Sequence, residues 1–525
     1  MTHPKHVALI GCGFTGTSAF YQLVDKYPVE EITIFEKSGI YGPGYPYRND
    51  ECKDYLLNNT NDTLCLTPDN KRAFLNWLRT RSDLAPEDIE ERGNLPRIYY
   101  GYFLEDTFKS TLTIAAIKNI KVTLVPNEAT SISENENGDV IVKWQDGSIK
   151  ADKVLLTTGH CPEIDHYQSP PAGSNAQYYP NHVNEKSLNN IPIDETIYIL
   201  GASLSAFDVI GRLYSAETGC QFVRDKQGTL KYIPGPNHRN VVMCSRSGRL
   251  KKMKSRKLKT VKRDYFTLKH LSGINGSDTI VLKDIAMAIK KDCDLNDGKI
   301  NWSDVLDPYE DCGDTHQVNT KAGKILEHDL SAAISSDERN ILVDIFGDAG
   351  LEIWDIFAAR LLSSEEEKRF RKKYETATLT FEASCPISTA EKLLSLHRAG
   401  CLKIVKGVND VRFSIEEDAY FIDHEFGSDK TTILVNTTGS VDRDVKSKNQ
   451  ADIIKNMVSD KMLSPYTCGG EEMLGANVDM IDFRINGTKN IHMASMFLWG
   501  PGFYTSGAII MATIVDRILK SLFNK

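Results

Sequence analysis

No C-x-x-C pair occurs among the eleven cysteines of this 525-residue chain, which stand at 12, 52, 65, 161, 220, 244, 293, 312, 385, 401 and 468. Their scatter excludes a redox couple of neighbouring thiols and a cysteine-built zinc site, and leaves mostly reduced, buried side chains. Any excess of positive charge is also lacking: a net charge of −8 with a pI near 5.9 argues against general nucleic-acid binding, while a local basic patch stays compatible. No long apolar run is unbroken. Met493 to Val515 is long enough to resemble a membrane span, but Gly500-Pro501-Gly502 interrupts it and Tyr504 to Gly507 reads as a helix start. Strand, loop and buried helix is the expected parse, with no integral membrane association. The first strand begins within six residues of the N-terminus, so no leader is expected and the reading is cytoplasmic. Asp292 to Gly298 resembles a calcium loop, but its glycine falls one place late and the closing Glu is missing, so no metal is expected.

What is present begins with glycine. Val7 to Ile10 is a short apolar run suited to a buried parallel strand, and Gly11, Gly13 and Gly16 fill the three places of G-x-G-x-x-G. The first glycine permits a tight turn, the second lets the backbone approach a pyrophosphate, and the third lets the following helix pack closely. The free N–H groups and positive end of that helix then favour an anion. A second strand, Glu31 to Phe35, ends at Glu36, 20 residues beyond Gly16. A carboxylate there accepts hydrogen bonds from the two ribose hydroxyls and repels a 2′-phosphate, so the first site reads as FAD or NAD.

The plan then repeats. Residues 120–159 alternate as short strands with turns and end in Thr157-Thr158-Gly159; residues 403–439 do the same and end in Thr437-Thr438-Gly439. The second glycine turn, Gly201-Ala202-Ser203-Leu204-Ser205-Ala206, has Ser and Ala where the first has Gly. No acid ends its second strand. Arg246 stands there instead, and a guanidinium pairs with a 2′-phosphate, so the second site reads as NADPH. Helices are expected over 70–82 and 101–117, and helical periodicity without meander signals covers about 265–375. The expected architecture is α/β: two Rossmann-like dinucleotide-binding domains, each three-layered with a β-meander, plus a helical insertion roofing the substrate cleft. The boundaries are 1–194 for the first part of one domain, 195–439 for the other with its insertion, and 440–525 for a return to the first.

Arg249 to Arg263 holds nine basic residues and no acid. Leu250, Met253, Leu258 and Val261 recur at roughly helical spacing, which reads as a basic amphipathic helix that touches an anionic surface, lies over a protein groove, or attracts the phosphates of NADPH.

Leu56-Leu57-Asn58-Asn59, Phe74 to Leu78, Pro96 to Tyr102 and Gly500 to Gly507 give the chain a resemblance to the two-dinucleotide-domain flavoproteins, which include flavin-containing, Baeyer–Villiger and N-hydroxylating monooxygenases, and within them to bacterial FAD/NAD(P)-binding proteins. The F-x-G-x-x-x-H signature of many such enzymes appears at best as Tyr179-Pro-Asn-His182, whose aromatic and glycine positions do not match. The resemblance implies FAD held by Gly11, Gly13, Phe14, Thr15, Gly16, Glu36, Lys37, Gly44, Asn59, Thr158, Gly159, Gly502 and Ser506, and NADPH held by Gly201, Ser203, Ser205 and Arg246. It places Asn58, Arg97 and His182 as candidates on the catalytic side and His160 near the flavin. The implied activity is an NADPH-dependent monooxygenase acting on a small molecule, with an amine or amino acid to be N-hydroxylated as the favoured substrate. A reductase or dehydrogenase without oxygen insertion and a flavin-binding regulatory protein stay open, as does oligomerisation.

Overall fold

The computed structural model describes residues 3–523 apart from 184–185, 194, 237, 275–278 and 506. In chain order, β1 (His6–Ile10) turns into α1 (Phe14–Lys26), followed by β2 (Glu31–Phe35), α2 (Arg97–Ile117), β3 (Lys121–Val125) and β4 (Lys153–Gly159). A second series follows as β5 (Gln177–Tyr179), β6 (Thr196–Leu200), α3 (Leu204–Leu213), β7 (Asn240–Ser245), α4 (Thr315–Ser335), α5 (Ile387–Arg398), β8 (Leu402–Lys406) and β9 (Ile433–Asn436). The chain closes with β10 (Ile491–Ser495) and α6 (Ala508–Phe523).

These strands form two all-parallel five-stranded sheets, ordered β10-β4-β1-β2-β3 and β5-β9-β6-β7-β8. Each glycine-turn strand (β1, β6) sits at the sheet centre, between the strand that ends a meander and the strand that ends at the ribose corner. Buried on both faces, β1 reads as a near-continuous apolar run from Val7 to Ile10, and β10 is wholly buried although it carries His492 and Ser495. The meanders are separate three-stranded antiparallel sheets over residues 131–151 and 410–431. The second sheet takes its outer strand from Gln177–Tyr179, upstream of the expected boundary at 194.

The helical region divides into two. Val318, Ala322, Leu326 and Leu330 of α4 join the core of the second sheet. The helices Leu282–Leu295, Ile341–Ala358, Ser364–Lys373 and Glu375–Glu382 build a core of their own around Ile289, Phe346, Phe357, Phe370 and Phe381, completed by Phe503 from the closing segment. Ser363 caps one of them, its hydroxyl accepting from Glu366 N at 3.2 Å, with three glutamates in the first turn and Arg371, Lys372 and Lys373 in the last to match the helix dipole. Arg371 then donates to the carbonyls of Gly500 (2.6 Å) and Gly502 (2.8 Å), and Trp499 Nε1 donates to Glu375 at 2.8 Å. An insertion within the second unit's sequence is thereby fastened to the first unit's final loop.

The basic run is not a helix. Residues 249–263 are irregular, bent at 256–257 and bridged at Met253 to Cys385, and run between α4 and the inserted helices. Lys252 N donates to Thr380 O (3.1 Å) and Cys385 N to Lys252 O (2.9 Å). Lys251 Nζ donates to Leu379 O at 2.6 Å, its pKa pushed down to about 8 by burial. Lys252 pairs with Asp329 at 2.6 Å and Arg263 with Asp348 at 2.8 Å. The apolar spacing was a coincidence of period: Met253 is fully buried, whereas Leu258 is 78% exposed. Long-range partners for the cations overrode the local pattern.

Among the described residues no helix is long and apolar enough to cross a membrane. The segment from Met493 folds as strand, short turn and buried helix.

Candidate dinucleotide and substrate sites

The first glycine turn is shaped by backbone contact. Gly11 has φ +102°, and a Cβ there would stand 2.6 Å from Thr157 O; a Cβ on Gly16 would stand 2.1 Å from Gly11 O. Gly13 is extended, so its need for glycine is one of space. It lies against Gly44, whose own Cβ would stand 2.8 Å from Gly13 Cα. Thr157 Oγ1 donates to Gly11 O at 2.7 Å and locks the turn to β4. No side chain caps α1 at Gly13, so its first N–H groups are left for an anion, and Thr15 is buried in that first turn.

Glu36 is held from two sides: Cys12 N donates to Oε2 at 3.0 Å and Ser38 Oγ to Oε1 at 2.8 Å. The carboxylate therefore stands fixed at the end of β2. At the end of β4, Thr158 and Gly159 (φ +69°) reach a place where a Cβ on Gly159 would meet nothing within 4 Å. Phe14 stacks on Tyr100 at 6.2 Å and His160 on Tyr45 at 5.8 Å. Lys37 lies outside this cradle, 3.8 Å from Glu128. Gly502 sits under Trp354, and a Cβ there would stand 3.1 Å from its Nε1. Ser506 lies outside the described residues. A cradle that side chains would fill, a fixed ribose-side carboxylate and an open strand end fit a dinucleotide.

The second turn repeats the geometry with other residues. Gly201 has φ +126° and its N donates to Cys244 O at 2.8 Å, as Gly11 N does to Phe35 O at 2.8 Å. Thr437 Oγ1 donates to Leu200 O at 2.7 Å, the counterpart of Thr157. Ser203 is extended (φ −121°), a conformation open to any residue, and its hydroxyl does not cap α3. Ser205 is half-buried in the first turn of α3, and Ala206 is fully buried where Gly16 stands in the first unit. The matched pairing of Gly201 with Cys244 makes Ser245 the counterpart of Glu36. Arg246 is the next residue, exposed at the strand end.

Between the units, two of the three catalytic candidates meet on a residue that the sequence reading passed over. Arg97 Nη2 pairs with Asp208 Oδ2 at 2.7 Å, both side chains nearly buried, and His182 Nε2 lies 3.5 Å from the same oxygen. Burial opposes the charge on Arg97, and Asp208 more than restores it, raising the guanidinium above its ordinary value. Arg97 Nε also donates to Leu56 O at 3.1 Å, and Tyr55 OH to His182 O at 3.0 Å. Asp208 projects from α3 and Arg97 opens α2, so this cluster joins the second unit to the first. Asn58 lines a small adjoining pocket, of about 20 Å³, with Asp208 and Lys392. Asn59 instead accepts from Lys254 Nζ at 2.9 Å. Asp208 was visible in the second motif, four residues beyond Leu204, yet only its distant partner gives it meaning.

Residues 8–161 match the family model described as FAD-NAD(P)-binding. Across their whole length the chain is similar to three solved structures. One is the FAD-bound cadaverine monooxygenase of desferrioxamine biosynthesis from Erwinia amylovora, 11% identical, with 100% of this chain and 95% of that one covered and a TM-score of 0.56. The second is the ornithine N-hydroxylase KtzI of Kutzneria sp. 744, 13% identical with 99% of each chain covered and a TM-score of 0.55. The third is the L-lysine 6-monooxygenase of Pseudomonas syringae, 13% identical with 99% of each covered and a TM-score of 0.51. The fold is that of the two-dinucleotide-domain flavoproteins. An uncharacterized protein of Escherichia coli (strain K12), YdhS, is 24% identical over 256 residues, 46% of this chain and 46% of the relative. The match thus spans about half the length of that curated relative.

Proposed function

We propose that the chain is an NADPH-dependent FAD monooxygenase that N-hydroxylates an amine or amino acid. The observation that carries this reading is the second dinucleotide turn: it repeats the strand, turn and helix of the first in one fold, with Ser203 and Ala206 for two of the glycines, and is cornered by Ser245 and Arg246 where the first has an acid. A nucleotide bearing a 2′-phosphate suits that corner, and the same 2′-phosphate does not suit Glu36. The three whole-length structural neighbours, named for cadaverine, ornithine and lysine, support the substrate class, and the lack of a neighbouring cysteine pair disfavours a dithiol reductase.

When bound, FAD supplies hydride acceptance and oxygen activation. The chain's own part is to bind and orient. Gly11, Gly13, Gly16 and Gly44 admit the pyrophosphate, Glu36 takes the ribose hydroxyls, and Arg246 takes the 2′-phosphate. The inserted helices, fastened to the carbonyls of Gly500 and Gly502, exclude water over the junction.

The test is NADPH oxidation by the FAD-loaded protein screened across amines and amino acids under isotopically labelled dioxygen, with product mass as the readout. One labelled oxygen atom in the organic product is the expected result. NADPH consumption with no oxygen in any product would establish the reductase alternative instead.

A further inference from the structure

Where the basic segment, the inserted helices and the closing loop come together, the chain buries one oxygen of a half-buried carboxyl with nothing to satisfy it. Glu382, the last residue of helix Glu375–Glu382, packs Oε2 over Gly350, 3.8 Å from where a Cβ would stand there. Its Oε1 is buried without a hydrogen-bond partner among the described residues. Burial pushes the carboxyl up to about 8, against the opposing pull of the Lys254 ammonium. The titratable groups facing it are Lys254, bound to Asn59, and the neutral Tyr504 hydroxyl, its pKa raised by burial and by Glu382. Tyr504 holds φ +54°, a strained conformation for a bulky residue, beside Phe503 in the loop that closes the first unit. An orphaned buried carboxyl is costly, and native chains keep such groups chiefly where a ligand or reaction uses them.

We propose that Glu382 is a specificity residue that receives a second, non-reacting cationic group of the substrate, so that the chain selects diamines and related dications over monoamines. This rests on the amine-oxygenating reading above. An ammonium of this kind gives Oε1 the donor it lacks, and the carboxyl releases its proton to solvent as the ligand binds, so charge balances within the pair. Burial keeps the empty site from ionising fully, and Lys254, tied to Asn59, offsets part of that penalty without occupying Oε1.

The probes are 1,5-diaminopentane and pentylamine, equal in chain length and different only in the second ammonium. They are titrated into the FAD-loaded protein by flavin absorbance, and by calorimetry at pH 7 in two buffers of different ionisation enthalpy. The expected result is a preference of roughly tenfold or more for the diamine, the value of one charge-assisted hydrogen bond in a dry site, and release of about one more proton than with pentylamine. Glu382→Gln should abolish both, and Glu382→Asp should restore part of the preference, which a merely structural role would not do. Equal affinity of the two amines, or a preference unchanged in Glu382→Gln, overturns the proposal. Because these readouts involve no turnover, a protein that selects the diamine yet inserts no oxygen refutes the monooxygenase reading and leaves Glu382's role supported.

Discussion

The two dinucleotide units share strand order, turn geometry and even the threonine that ties each turn to its meander strand, Thr157 in one and Thr437 in the other. They differ in how tightly backbone meets backbone. The first unit has glycine at all three motif positions and a fourth, Gly44, pressed on the second of them; the other keeps only Gly201 and fills the remaining places with Ser203 and Ala206. A turn with three glycines and a fixed acid is committed to one ligand. A turn that tolerates side chains, with its specificity displaced onto an exposed arginine, suits a ligand that comes and goes. The difference accords with a resident cofactor in one unit and an exchanging one in the other.

The largest test of that contrast strikes the joint between the units. Asp208→Ala leaves Arg97 buried without its counter-charge and should cost about 3–5 kcal/mol in urea unfolding, whereas replacement of an exposed pair such as Lys430 and Glu417 should cost under about 1 kcal/mol. Next in size is Gly16→Ala. Its new Cβ would meet Gly11 O, so helix and strand must part, at about 1–3 kcal/mol and with most FAD lost from the purified protein. The reciprocal change, Ala206→Gly, should cost only about 1 kcal/mol in thermal unfolding and leave FAD content intact. Arg246→Glu should weaken NADPH by roughly tenfold or more while shifting NADH little, measured as the rate of anaerobic flavin reduction against nucleotide concentration. Smallest of all, Ser203→Gly should alter NADPH affinity by no more than about two- to threefold, because Ser203 already holds an unstrained extended backbone; a larger gain would mean that its side chain keeps the nucleotide away.

Legibility in the sequence followed locality. Gly11 to Glu36 and the two meanders were readable because each signal lies within a few dozen residues of its partner: a strand, a turn, a helix and a corner. The division of the helical region was not readable, since α4 has the same periodicity as its neighbours and only its contact with β8 assigns it to the second sheet. The basic segment misled for the same reason. Lys251, Lys252 and Ser255 are held in place by Leu379, Asp329 and Asp344, each more than 70 residues away. Arg97 and His182 were recognisable as unusual polar residues, but the oxygen on which they meet belongs to Asp208, on a different unit. At Glu382 composition was silent altogether, because an acid at a helix end reads as solvated until burial is known.

The fastening of Arg371 and Arg360 to the carbonyls of the 499–502 loop has a practical corollary. The second unit cannot be cut out as a free-standing module: residues 177–436 alone would bare the aromatic face that Phe503 now covers and strand two arginines whose acceptors lie near the far end of the chain. Exchange of nucleotide specificity by grafting a whole second unit from another protein would fail for the same reason. Redesign has to proceed side chain by side chain at the Ser245–Arg246 corner, with the helical bridge left in place.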